Sequence, residues 1–245
     1  MTDRRLFRIA RSLHQRQLDL IIGLEKVHDP HNLAAILRSA DATGVGKVVW
    51  APNNENPLPP NPEVSKSSEK WVELIQTTNF INTMKSYKDQ GFNIAATHLG
   101  NTSVDFRTPD WSKPWVVILG NERIGCSKEI LEICDLNIQL PMMGLVQSLN
   151  VSVATAVILY EIQRQRQNKG MYSRVLPPGT VKSLFDYWKL AEEGIKLEDV
   201  LQPPPFEMEV PDSEHLDGRT AFLERRRLEK EAKLKKAAEH VEEIR

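Results

Sequence analysis

The feature that most constrains this chain is a rhythm. Between Asp19 and about Asn168, short apolar runs rich in β-branched residues alternate with stretches of helical spacing. The strand-like runs are Asp19–Glu25 (DLIIGLE), Lys47–Trp50 (KVVW), Phe92–Ala96 (FNIAA), Trp115–Leu119 (WVVIL) and Asn137–Leu140 (NIQL), each bounded by turn residues. The spacing predicts helices over Asn32–Thr43, Val72–Asp89, Ser127–Ile133 and Asn150–Gln167. Strands that are apolar at consecutive positions are covered on both faces, and strands alternating with helices form a mostly parallel sheet. The fold class is therefore α/β. Pro52–Pro62 carries five prolines in eleven residues and reads as an exposed loop.

Outside that block the chain changes character, giving three parts: 1–18, 19–168 and 169–245. Met1–Gln17 holds Arg4, Arg5, Arg8, Arg11 and Arg16 against Asp3, a net +4, with Leu6, Ile9, Ala10 and Leu13 at helical spacing. It reads as a basic amphipathic helix. Its arginines are either a solvated face or a phosphate-binding strip, since guanidinium meets phosphate through two parallel hydrogen bonds. Glu192–Asp217 holds nine acidic residues and Pro203–Pro205, and reads as an extended, poorly packed linker. Thr220–Arg245 is a strong helix former with Glu/Lys pairs at i,i+4.

Charge and motif content exclude several classes. Lys+Arg is 32 against Asp+Glu 33, so there is no uniformly basic coat, although local basic patches remain. Two cysteines make neither a disulfide framework nor an all-cysteine zinc site. No apolar run reaches the roughly 20 residues of a membrane span, and the N-terminal segment lacks the apolar core of a secretory signal. The expectation is a soluble cytoplasmic protein without a membrane association. Phosphate-loop, dinucleotide-turn and nucleophile-elbow motifs are missing. His28 and His31 lack a third ligand at useful spacing, so no metal is expected and hydrogen bonding at a helix entry is the better reading.

Three segments carry more polar chemistry than a structural chain needs. In HDPHNLAAILRSAD, Asn32 suits a helix cap. Arg38 follows among small and apolar neighbours in a helix that reads as mostly buried, and a buried arginine is either paired with Asp41 or directed into a site. ILGNERIG follows a fully apolar strand, where open α/β sheets place their ligand crevice. There Gly120 lets backbone approach a ligand and Glu122 supplies a carboxylate, a plain turn being the alternative. IQLPMMGLVQSLNVS leads a strand into a helix opened by Ser148 or Asn150, with more amides and hydroxyls than one cap requires.

Together, N-x-x-A-x-x-R-S-A-D-A…G-V, I-L-G-N-E…G and L-P-M-x-G-x-V-Q-S-L-N-V-S-V-A resemble the three motifs of the SpoU family of the SPOUT superfamily of RNA methyltransferases. The resemblance runs to about Tyr172. It implies a SPOUT α/β domain with a deep C-terminal trefoil knot and helical extensions at both ends. It also implies S-adenosylmethionine as methyl donor, no metal, a homodimer, and transfer to the ribose 2′-hydroxyl of guanosine-18 in tRNA. Thr97, Gly120, Asn121, Leu140, Ser148 and Leu149 would hold the cofactor, and Asn32, Arg38, Glu122, Ser148 and Asn150 match the catalytic set. The family gives Arg38 the proton-accepting role with help from a phosphate. An arginine pKa above 12 suits a phosphate clamp better, leaving Glu122 to position or accept the proton. Arg8, Arg11 and Arg16, with Arg164 and Arg166 of the Gln163–Arg174 patch, would grip tRNA phosphates from two sides. The alternatives are a ribosomal RNA substrate, or an inactive RNA-binding protein of the same fold.

Overall fold

The computed structural model describes residues 3–52, 65 and 68–204. Most of the proline-rich loop, the far half of the acidic stretch and the charged Thr220–Arg245 helix expected above lie outside the described residues.

Seven strands form one sheet: β1 Gln17–Glu25, β2 Val45–Ala51, β3 Glu73–Gln76, β4 Asn93–Thr97, β5 Val104–Asp105, β6 Trp115–Leu119 and β7 Leu136–Gln139. The order is β3-β2-β1-β6-β4-β7-β5 and every pairing is parallel. Among the described residues, the complete α-helices are α1 Asp3–His14, α2 Pro30–Ala42, α3 Phe80–Asp89, α4 Lys128–Ile133, α5 Val151–Asn168 and α6 Pro178–Tyr187. Each central strand divides its side chains between two cores. Leu20, Ile22 and Leu24 of β1 join Val117 and Leu119 of β6 and Leu33, Ile158 and Leu159 of α2 and α5 on one face. Ile21, Val116 and Ile118 meet Phe80, Met84 and Ile130 of α3 and α4 on the other. This two-faced burial is why the strands read as unbroken apolar runs.

The stretch expected as one helix, Val72–Asp89, divides. Leu74 packs on one core and Ile75 on the other, a period of two that makes Glu73–Gln76 an edge strand. Helix α3 starts only behind Asn79, whose side chain accepts the Asn82 N–H at 3.2 Å.

The start of the acidic stretch also departs from expectation. Leu190–Glu193 and Leu197–Val200 are 3₁₀ turns, and Leu190, Ile195 and Val200 are buried against Ile9, Ala10 and Leu13 of α1 and Val181 and Phe185 of α6. Acidic residues surround these apolar positions in sequence and conceal their spacing. His14 fastens the cluster: its Nε2 donates to the Val200 carbonyl at 2.9 Å while its Nδ1 accepts the Leu176 N–H at 3.3 Å. Only the neutral Nε2–H tautomer satisfies both bonds. Glu193 takes Lys70 and Arg5, which hold its carboxyl below the usual carboxylate range.

Two arginines expected on RNA are structural instead. Arg166 is fully buried and uses all five of its N–H groups. They go to Asp19 Oδ1 (2.5 Å) and Gln17 Oε1 (3.1 Å), and to the carbonyls of Trp111 (2.9 Å), Lys113 (2.9 Å) and Asp19 (3.3 Å). It ties α5 to β1 and to the segment entering β6. Arg16 is 4% exposed, pairs with Asp41, donates to the Val45 carbonyl at 3.1 Å and lies 5.0 Å over the Trp188 ring. Both side chains are buried.

Removing a partner from a buried ion pair costs about 3–5 kcal/mol. Arg166→Ala is expected to lose that much in urea unfolding, whereas exposed Arg164→Ala stays within about 0.5 kcal/mol. Because the Glu193 carboxyl titrates lower when folded, its contribution is present above the ordinary glutamate range and disappears as pH falls through the folded value. Glu193→Gln should therefore be less stable than the native chain at pH 7 and indistinguishable from it at low pH, measured by thermal melts across pH.

Candidate active site

Because all strands are parallel, the C-terminal ends of β1, β6, β4 and β7 lie along one sheet edge, where the loops that follow them collect. Two of these loops, Gly120–Cys126 and Pro141–Leu149, enclose a cavity of about 410 Å³, within the range of small-molecule sites. Thr97, Gly120, Asn121, Leu140, Ser148 and Leu149, the six residues assigned to the cofactor by resemblance, all line it. The Thr97 hydroxyl donates to the Ile118 carbonyl at 3.2 Å, closing β4 against β6 at the cavity floor.

Gly120 is a position where no side chain fits. A Cβ there would stand 2.2 Å from the Gly125 carbonyl carbon and 2.3 Å from the Cys126 nitrogen. The loop doubles back on it: Asn121 and Gly125 exchange backbone hydrogen bonds of 3.1 and 2.9 Å, and Gly125 takes φ +69°. The Asn121 side chain completes the turn, accepting the Arg123 and Ile124 N–H groups and donating to the Lys26 carbonyl at 2.9 Å. Glu122 is thereby presented at the cavity wall.

A polar chain crosses the site from there. Asn150 caps α5, accepting the Ser152 N–H at 2.8 Å, and its Nδ2 donates to Asn32 Oδ1 at 3.1 Å. Asn32 Nδ2 donates in turn to Glu122 Oε1 at 3.0 Å, while Glu122 Oε2 stands 3.9 Å from His28 Nδ1. Asn32 is not the cap of α2. Asp29 is, accepting the His31 N–H at 2.8 Å with Pro30 next in line, and this leaves the Asn32 side chain for the site. Of the two residues expected to open α5, Asn150 does so, and Ser148 stays in the exposed loop at the cavity.

Arg38 departs from expectation in one respect. It is exposed on α2 rather than buried, and Asp41 is committed to Arg16, so Arg38 is not held by its helical neighbour. It does not bond to the Asn150–Asn32–Glu122 chain. Among the described residues no group of three or more His, Cys, Asp or Glu side chains is placed to hold a metal.

Sequence reasoning passed over Glu25 and Lys26. The signal was present: an acidic residue closing an otherwise apolar strand. A smaller cavity of about 230 Å³ lies apart from the site, where Arg5, Arg8 and Arg16 of the N-terminal segment face Trp71 and Trp188. Arg8 is exposed and Arg11 half-buried, and Arg164 is exposed beside Glu161, whose carboxyl it lowers.

A family model described as the SpoU rRNA methylase family matches residues 19–160. Relatives named tRNA (guanosine(18)-2′-O)-methyltransferase from Aquifex aeolicus and Thermus thermophilus are 45% and 46% identical over 172 and 188 residues. The alignments cover 70% and 76% of this chain and 82% and 96% of theirs. The crystal structure of the A. aeolicus TrmH/SpoU tRNA modifying enzyme matches with a TM-score of 0.72 at 42% identity, over 79% of this chain and 98% of its own. An AdoMet-bound rRNA methyltransferase from Sinorhizobium meliloti matches with a TM-score of 0.53 at 31% identity, over 63% of this chain and 59% of its own.

Overpacking a closed backbone contact costs about 1–3 kcal/mol. Gly120→Ala should be destabilised by that amount in chemical unfolding and should lose ligand binding in the cavity, whereas Gly144→Ala, with open space around its Cβ, should change neither.

Proposed function

The chain belongs to the SpoU methylase family, and from that premise we propose that it is a tRNA (guanosine-18) ribose 2′-O-methyltransferase using S-adenosylmethionine. Its fold is that of the SPOUT methyltransferases. The substrate reading is supported by the reach of the likeness. The alignment with the T. thermophilus tRNA enzyme spans 188 residues, more than the family-wide segment 19–160 that a ribosomal RNA enzyme also carries.

The observation that carries the site assignment is the hydrogen-bonded chain Asn150–Asn32–Glu122, which ends at Glu122 in the wall of a cavity lined by all six residues assigned to the cofactor. The cavity fits the donor in kind, being of small-ligand size and lined by apolar Leu119, Leu140 and Leu149 beside polar Asn121 and Ser148. S-adenosylmethionine supplies an electrophilic methyl group on a sulfonium. The chain must orient the ribose and take the 2′-hydroxyl proton as its oxygen attacks. Asn32 fixes Glu122 through Oε1, leaving Oε2 to receive the proton. Arg38, exposed and always charged, clamps the adjoining phosphate and balances charge developing on the 2′-oxygen. Ser148 borders the cofactor.

The RNA is gripped by Arg8, Arg11 and Arg164. A second copy of the chain completes the enzyme. Val153, Val157 and Tyr160 are 48%, 39% and 55% exposed at i, i+4 and i+7, an apolar stripe on α5 beginning one residue-turn from Asn150. Covering it with a partner brings a second surface to the site. Among the described residues no helix is long and apolar enough to cross a membrane, and the tRNA substrate supports a cytoplasmic location.

The test is methyl transfer from labelled S-adenosylmethionine to an unmodified tRNA transcript, with the product nucleotide mapped. Label is expected on the 2′-oxygen of guanosine-18. Arg38→Ala and Glu122→Gln should each lower turnover by at least about 100-fold while cofactor affinity stays within about tenfold. Label on ribosomal RNA alone would overturn the substrate, and cofactor binding without transfer to either RNA would favour an inactive RNA-binding protein. Arg8→Ala with Arg11→Ala should reduce the slope of log affinity against log salt by about 2, and unchanged slopes would return α1 to a purely structural role.

A further inference from the structure

Glu25 is the one carboxylate among the buried residues described, 5% exposed at the C-terminal end of β1. A buried carboxylate is costly unless its position demands it, and an apolar residue would continue the core of that sheet face more cheaply. Its Oε2 accepts the Ser127 N–H at 2.8 Å. Ser127 directly follows the doubled-back loop that holds Gly120 and Glu122, and opens α4 by accepting the Ile130 N–H. The next residue of β1's exit, Lys26, grips the other end of the same loop, its carbonyl accepting from Asn121 Nδ2 at 2.9 Å. Lys26 takes φ +57°, one of two non-glycine residues described with positive φ, while its own N–H donates to the Ala51 carbonyl at 2.8 Å. A residue held in a sparsely populated backbone region is over-determined by its surroundings, and such positions cluster at functional sites. The Cys126 thiol, between the two grips, is pushed up to about 12 chiefly by burial and then by the Glu25 charge, which places that carboxylate against the loop.

We propose that Glu25 is a positioning residue: with the Lys26 carbonyl it pins both ends of residues 121–127 to the end of β1, and so sets where Glu122 stands. This rests on the assignment of Glu122 to proton handling. A loop joining β6 to α4 has no sheet partner of its own beyond the Asn121–Gly125 bridge. Without the two grips its registration against Asn32 would rest on the 3.0 Å Asn32–Glu122 hydrogen bond, helped by the Cys126 thiol on the Thr97 carbonyl at 3.5 Å and by His28 at 3.9 Å from Glu122. Glu25 never touches the reacting atoms and acts through the loop.

The experiment compares full-length Glu25→Ala and Glu25→Gln with the native chain by amide hydrogen exchange and by methyl-transfer kinetics. In Glu25→Ala, exchange across 120–127 should rise at least tenfold relative to β2 and β6, and kcat should fall about tenfold or more with KM for tRNA unchanged. Glu25→Gln offers an amide oxygen to the same N–H and should stay within about threefold of native on both measures. Should Glu25→Ala fail to fold, Ser127→Pro removes the donor instead. The native φ of −66° there accommodates proline, and Ser127→Ala controls for the lost cap. Loop exchange unchanged in Glu25→Ala, or in Ser127→Pro relative to Ser127→Ala, would overturn the proposal. So would a Glu25→Gln variant as impaired as Glu25→Ala, since charge rather than anchoring would then be the requirement. The exchange readout does not depend on catalysis. A rise in loop exchange with no change in kcat would leave the anchor intact and remove Glu122 from the chemistry.

Discussion

The arrangement around the cavity depends on one contact between backbones, Gly120 against Gly125 and Cys126. No other residue type permits it, because a Cβ would lie inside van der Waals contact by more than an ångström. From that contact follow the turn closed by Asn121 and the placement of Glu122 in the cavity wall. The parallel sheet supplies the frame. β1 lies between β2 and β6, so the ends of three strands are level where this turn begins.

Much of this was legible in the residues, and what was not has identifiable causes. β6 is found at its expected bounds because five consecutive apolar residues in a two-faced sheet allow no other reading. β3 was lost inside a helix because its four residues run into the apolar spacing of α3, and only the Asn79 cap marks the break. The turns after α6 were hidden by acidic neighbours. The motif residues were found, but their roles depended on information that one dimension does not hold. Asn32 is an ordinary cap residue until Asp29 is seen to do the capping. Arg38 looked buried because its neighbours are, yet a helix presents one position in three or four outward.

Arg16 and Arg166 carry the same lesson for charge. Both sit in arginine-rich runs that read as phosphate strips, and both are consumed internally, by Asp41 and Asp19 with several carbonyls. A run of basic residues on a helix divides between its faces. Arg8 and Arg164 point out, and their neighbours hold elements together. Counting charge in a window therefore overstates what a polyanion meets.

The His14 bridge joins positions 186 residues apart in the chain. At synthesis rates of about 5–20 residues per second, α1 waits roughly 10–40 s for its docking surface to be made. During that interval Ile9, Ala10 and Leu13 have no cluster to enter, although their helix is made before every strand of the sheet. The sheet is complete well before the turns at Leu190 and Leu197 exist, so a helix made before the sheet is placed after it. The nascent chain must carry a basic amphipathic segment in the presence of ribosomal RNA for most of its synthesis.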